Sequence, residues 1–221
     1  MIISFDGNVF TGKTTIISKL SSKYGFNKIV EYCDILKNIP LKDTHDSVYK
    51  NEQVRYLKVD KKRMLQIHNG TNLLDRSFIS MSAHVYAIYK KGLFDMRLFY
   101  LKELEFYFNK NEIIIPNKYI IVSCSYKTAL KRYKLNNAIK KTGRKYIDKE
   151  YFDYIDIFNE MWSREFPTLI INSDRKLNYK KTFDFICNKQ NDSDDNKIIL
   201  IIKKLLDIPL SIADQKILKR K

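Results

Sequence analysis

Residues 1–17 read Met1-Ile2-Ile3-Ser4-Phe5-Asp6-Gly7-Asn8-Val9-Phe10-Thr11-Gly12-Lys13-Thr14-Thr15-Ile16-Ile17, and they decide the fold. Positions 2–5 form a short apolar run of the kind that makes a buried strand. Gly7 to Thr14 matches G-x-x-x-x-G-K-[ST] at every specified position. Four fixed positions arise by chance in a chain of this length at roughly the 1% level, from average residue usage. The residues after Thr14 continue as an amphipathic helix over 14–23. Strand, glycine loop and helix in that order is the setting in which this pattern cradles a polyphosphate.

The chemistry explains the pattern. Successive backbone N–H groups must turn inward around the phosphates, and glycine permits that curl and the close approach. The helix N-terminus adds partial positive charge. The expected nucleotide contacts are Gly7, Asn8, Thr11, Gly12, Lys13, Thr14 and Thr15. Lys13 is expected to reach the β- and γ-phosphates, and the Thr14 hydroxyl to ligate Mg²⁺.

Working outward, further apolar runs at 28–30, 72–74, 119–122 and 168–171 read as strands. Helical periodicity covers 51–68, 78–91, 95–108, 127–135 and 148–164. Strands alternating with helices imply right-handed crossovers, hence an α/β fold with a five-stranded parallel sheet and helices on both faces. Gly25, Gly70 and Gly92 follow helical patterns and are expected C-caps. The segment 189–196, KQNDSDDN, is polar and aperiodic and reads as a linker. Beyond it, 197–206 and 211–220 are short helical patterns in a basic tail, 197–221, expected as a small appendage to a domain over 1–188.

Composition sets the outer bounds. With 221 residues and 44% hydrophobic side chains, the chain can build one packed domain, and wholesale disorder is excluded. No apolar run approaches the roughly 18 residues of a membrane span. The segment MIISFDG has no basic stretch before its apolar run and does not read as a signal peptide. Cys33, Cys124 and Cys187 are too scattered for a disulfide framework or a zinc site, which points to a reducing, cytoplasmic setting. The 41 basic and 25 acidic residues leave a net charge of +16. That excess favours polyanionic partners, nucleic acid among them, but a bias toward Lys, Ile, Asn and Tyr would produce it without any such role.

Three further elements carry candidate chemistry. Asp75 ends the apolar run at 72–74, at the edge where open parallel sheets bind ligands. There it can hold a Mg²⁺ hydration shell, and Arg76 can clamp a phosphate. Glu31 follows the second strand at the same edge, where a carboxylate can accept a proton from an attacking hydroxyl or bind a sugar. Between positions 127 and 145 lie eight basic residues and no acidic one. The helical pattern breaks near 136–147, which reads as a lid, with Arg132 and Arg144 able to supply charge to a transferring phosphoryl group. His45, His68 and His84 show no ligand spacing. Phe78 and Tyr86 read equally as base-stacking or as core residues.

Taken together, FDGNVFTGKTT, LLDRSFISMSAHVYA and YIIVSCSYKTALKRYKLNNAIKKTGRKYIDKEYFDYIDIFNEMW resemble the thymidylate kinase and deoxynucleoside kinase branch of the P-loop kinases. The resemblance spans residues 1–188. It implies Mg·ATP as donor and a nucleoside or nucleoside monophosphate as acceptor, with Asp75-Arg76 between metal and acceptor and Arg132 and Arg144 near the phosphates. The sequence departs from both patterns. Val30-Glu31-Tyr32 stands where thymidylate kinases carry Arg-Glu-Pro, and His84-Val85 replaces their Tyr-Gln pair. Met81-Ser82 replaces the Asp-Arg pair of deoxynucleoside kinases. Asp75-Arg76 favours a deoxynucleoside monophosphate acceptor, with a deoxynucleoside as the alternative. A nucleic-acid-end kinase, a nucleotide-binding switch and a homodimer stay open.

Overall fold

A computed structural model describes residues 1–36, 45–135, 148–188 and 195–219. In the first half of the chain, β1 (Ile2–Asp6) leads through the glycine loop into α1 (Lys13–Tyr24), followed by β2 (Asn27–Ile29), α2 (Tyr32–Leu36), α3 (His45–Met64), β3 (Asn72–Asp75) and α4 (Phe78–Lys90). Then come α5 (Arg97–Asn109), β4 (Lys118–Ser123), α6 (Tyr126–Leu135), α7 (Lys149–Glu165), β5 (Thr168–Asn172), α8 (Tyr179–Cys187), α9 (Asp195–Leu205) and α10 (Ile212–Lys219). The strands pair in parallel in the order β2-β3-β1-β4-β5. Chain direction across the sheet switches at β1, so the crevice at the carboxyl ends of β1, β3 and β4 is the expected ligand edge.

Alternation along β1 sorts the two faces. Ile3 and Phe5 pack with Ile16, Ile17 and Leu20 of α1 and Ile186 of α8. Ser4 and Asp6 point to the opposite face, where Asp6 accepts hydrogen bonds from the Ser77 and Ser80 N–H groups at 2.8 and 3.2 Å and from both serine hydroxyls. That carboxylate pins the start of α4 beneath β1. The main core lies on this face, where α3, α4, α5, α7 and α9 contribute to one apolar cluster. Phe78 and Tyr86 belong to it, against Trp162 and Phe158 respectively, so packing accounts for both.

Three expectations change in detail. Gly70 does not cap a helix, because α3 ends at Met64 and turns fill the gap. The short helices α2 and α8 had no sequence signal. The tail is not peripheral: α9 begins at Asp195, inside the expected linker, and its Ile198 and Ile202, with Leu206 just beyond, are fully buried in the main core. The expected appendage therefore fits α10, which has no buried residue, better than α9. Residues 189–194 of the expected linker lie outside the described residues, as does the expected lid at 136–147.

Candidate active site

The loop after β1 is shaped by steric exclusion. Gly7 has φ +120°, and a Cβ there would sit 2.2 Å from the Val122 carbonyl oxygen of β4. Only glycine lets the loop leave the sheet at that point. Gly12, at φ +91°, starts α1. Lys13 is buried, and its ammonium donates to the carbonyls of Gly7 at 3.1 Å and Asn8 at 2.5 Å. Burial, with the Arg76 guanidinium nearby, lowers its pKa to about 7. The cation thus lies inside the loop, poised for an anion that would offset its desolvation. Thr11 donates back to the Asn8 carbonyl at 3.0 Å. The Asn8 amide donates instead to α7, to Phe152 O at 2.8 Å and Asp156 Oδ1 at 2.9 Å. Thr15 is exposed on the first turn of α1.

Thr14 and Asp75 meet, with Thr14 Oγ1 donating to Asp75 Oδ2 at 2.6 Å. Asp75 Oδ1 is buried with no hydrogen-bond partner among the described residues. Burial and the charge of Glu31 raise the Asp75 pKa, against the pull of Thr14 and Lys13. A hydroxyl and an under-used carboxylate at a phosphate loop fit Mg²⁺, which keeps most of its waters and takes one or two protein oxygens.

Arg76 has φ +65°, an uncommon conformation for a side chain with a Cβ. Its Nε donates to Glu31 Oε1, and its Nη1 to Gly7 O at 3.1 Å and more weakly to Ser80 Oγ at 3.5 Å. Burial pushes the Glu31 pKa up, but Arg76 and Lys13 outweigh it and hold the carboxyl below its ordinary value. Glu31 and Arg76 line a cavity with Gln53, Tyr56, Met81 and His84. Gln53 is buried, and its Oε1 has no hydrogen-bond partner among the described residues. His84 Nδ1 lies 2.6 Å from the Tyr151 hydroxyl.

Of the expected site residues, Lys13, Thr14, Asp75, Arg76 and Glu31 converge at one end of the sheet. Arg132 lies behind the loop: its guanidinium donates to Phe10 O at 3.0 Å, to Ser173 Oγ at 2.9 Å and to Ser173 O at 3.0 Å, tying the loop to the end of β5. Arg144 lies outside the described residues. Sequence reasoning missed Asp6, Gln53, Arg63 and Asp156. Asp6 alone carried a usable signal, being a carboxylate at the strand end immediately before the glycine loop.

A parallel sheet with this strand order, a phosphate loop after its central strand and Asp-Arg on the neighbouring strand define the P-loop kinase fold. No protein-family model matches the sequence. No curated protein matches it significantly. Solved structures do. Deoxyadenosine kinase from M. mycoides with bound dCTP matches with a TM-score of 0.58 at 21% identity, covering 84% of this chain and 96% of that one. The same enzyme with products dCMP and a flexible dCDP matches at 0.58 and 23% identity, with the same coverage. With bound dATP it matches at 0.55 and 24% identity, covering 84% and 97%. At these identities the likeness is one of fold.

Proposed function

We propose that this protein is a nucleoside kinase, transferring the γ-phosphoryl group of ATP to a hydroxyl of a nucleoside, deoxynucleosides included. The observation that carries the reading is the Glu31 carboxylate, which lines the cavity beside the phosphate loop and is kept ionised by Arg76. A hydroxyl acceptor needs a base, and an ionised carboxylate at the cavity wall supplies one. A monophosphate acceptor is already anionic and needs a free cation. Among the described residues lining the cavity, Arg76 is the one lysine or arginine, and it is engaged by Glu31 and the Gly7 carbonyl. This reading places the nucleoside ahead of the monophosphate, the acceptor the sequence favoured. The matching structures are of a deoxyadenosine kinase, which supports this reading.

In this mechanism Glu31 takes the hydroxyl proton as the acceptor oxygen bonds to the γ-phosphorus and the bond to the leaving ADP oxygen breaks. Lys13 exchanges its loop carbonyls for the β- and γ-phosphate oxygens. Thr14 and Asp75 would hold Mg²⁺, which would supply charge neutralisation for the donor phosphates. Arg132 keeps the loop in register through the Phe10 carbonyl. The Gln53 amide offers a donor and an acceptor to a base edge.

The test is ADP release over a panel of nucleosides, their monophosphates and oligonucleotides. Nucleosides should be the better acceptors. Glu31→Gln should lower their turnover by roughly 10²–10⁴, and Lys13→Ala should remove transfer to every acceptor. Preference for monophosphates, with only a mild effect of Glu31→Gln, would overturn the reading.

A further inference from the structure

Arg63 stands in the last turn of α3, inside the charged run Lys61-Lys62-Arg63. Unlike Lys61, whose ammonium reaches Glu112 in solvent, Arg63 is fully buried. Its guanidinium is nearly saturated. Nη1 donates to Asp60 Oδ1 at 2.9 Å, Nε to Val30 O at 3.0 Å, and Nη2 to Asp75 O at 2.7 Å and Arg76 O at 2.8 Å. The Tyr32 ring lies beneath it at 4.0 Å. Asp60, also fully buried, spends its other oxygen on Ile114 N at 3.2 Å.

The three carbonyls are not arbitrary. Val30 O belongs to the peptide that leads into Glu31, and Asp75 O to the peptide that leads into Arg76. Arg76 O closes the residue whose backbone is in the left-handed region. That conformation costs on the order of 1–3 kcal/mol and persists only where its surroundings over-determine it. Here the Arg76 N–H is held by Phe5 O at 3.1 Å, the next N–H by Asp6, and the carbonyl by Arg63. One side chain thus spans the ends of β2 and β3, the two strands that deliver the ion pair at the cavity wall. Stability does not explain it: a buried ion pair is often no better than apolar residues of the same volume.

We propose that Arg63 is the positioning residue of this site, its buried guanidinium fixing the backbones of residues 30, 75 and 76 so that Glu31 and Arg76 meet at the cavity wall. The consequence for catalysis rests on the nucleoside kinase reading. The geometric claim does not. Glu31 is faced by Arg76 and Asp75 from the end of β3, by Lys13 from α1, and by Cys33 and Asp34 from α2. When Arg76 drifts away, the lowering charge weakens while burial stays, so the Glu31 titration must move up in pH.

Two variants test this. Arg63→Lys keeps the charge opposite Asp60 but cannot span three carbonyls. The double variant D60N/R63M removes both buried charges. Each is read by thermal unfolding, ATP affinity, nucleoside turnover, and the titration of the Glu31 carboxyl carbon by NMR in the free protein. We expect a cooperative transition in both, ATP affinity within about threefold of wild type, turnover lowered roughly ten- to a hundredfold by misplacement, and the Glu31 titration shifted upward. An unmoved titration with wild-type turnover in folded Arg63→Lys overturns the proposal. So does a loss of turnover matched by ATP affinity and melting temperature, or failure of both variants to fold, since Arg63 would then be a strut of the core. If wild type phosphorylates no nucleoside, the kinase reading fails while the carboxyl titration still decides the role of Arg63.

Discussion

Ending the chain at Lys189 removes α9 and α10, and the packing sets the result. Ile198, Ile202 and Leu206 are fully buried, and Ile201, Leu205 and Ile208 nearly so. Burial of such side chains contributes roughly 1.5–3 kcal/mol each, so the six represent about 9–18 kcal/mol as an upper estimate. Whole domains are stable by only about 5–15 kcal/mol. The cut also strips Arg97 Nη1 of two carbonyl acceptors, Leu206 O and Asp207 O, each at 3.0 Å, and separates Lys90 from Asp207 and Lys204 from Glu165. The last two pairs are partly exposed and add little. The shortened chain should show no cooperative thermal transition by near-UV circular dichroism or calorimetry. A cut after Pro209 removes only α10, and should lower the melting temperature by no more than about 2–4 °C, the equivalent of ~1 kcal/mol in a domain of this size. A Lys189-terminated chain that melts cooperatively within a few degrees of the full chain would refute the assignment of α9 to the core.

Two other outcomes follow from the loop and its neighbours. Gly7→Ala sets a methyl group against the Val122 carbonyl in a backbone conformation hostile to it, so it should cost on the order of 3 kcal/mol or more and abolish ATP binding; calorimetric titration showing unchanged affinity contradicts this. Asp156 is pushed up to about 6 by burial, against the hydrogen bond from Asn8. Its folded pKa lies above the unfolded value of 3.8, so its contribution is full below about pH 4 and is lost as pH rises through 6. Asp156→Asn keeps an acceptor for Asn8 and removes that loss. The variant should gain about 1–3 kcal/mol over wild type at pH 8 and about half as much at pH 5, and denaturant midpoints that differ equally at both pH values contradict it.

What the sequence could and could not disclose follows from where each constraint acts. Gly7 and Gly12 are demanded by local backbone geometry, so they appear as a pattern in the chain itself. Asp75-Arg76 was visible because a strand end followed by a helix is a local feature. Arg63 was not, because a basic residue in the last turn of a charged helix looks the same whether it faces solvent or the sheet. Only the arrangement of three carbonyls from two other elements distinguishes it. The burial of α9 was hidden for the reverse reason. Its lysines suggested a solvated appendage, while the run at 198–202, taken alone, could not say what it covers. Phe78 and Tyr86 lay on the side chain pattern of a helix packed on three neighbours, where helical spacing alone cannot separate a ligand face from a core face.

The net charge of +16 bears on the acceptor only if the excess sits at the site, and among the described residues that line the cavity it does not. Arg76 is balanced by Glu31 and Arg63 by Asp60. Lys13 is turned onto loop carbonyls with its pKa lowered. A site built to hold a second phosphorylated substrate would leave cationic donors unengaged in the acceptor cavity. Among the described residues the cavity instead holds one paired guanidinium, an ionised carboxylate, a buried amide and an imidazole. That inventory suits a neutral acceptor that brings a hydroxyl and a base edge.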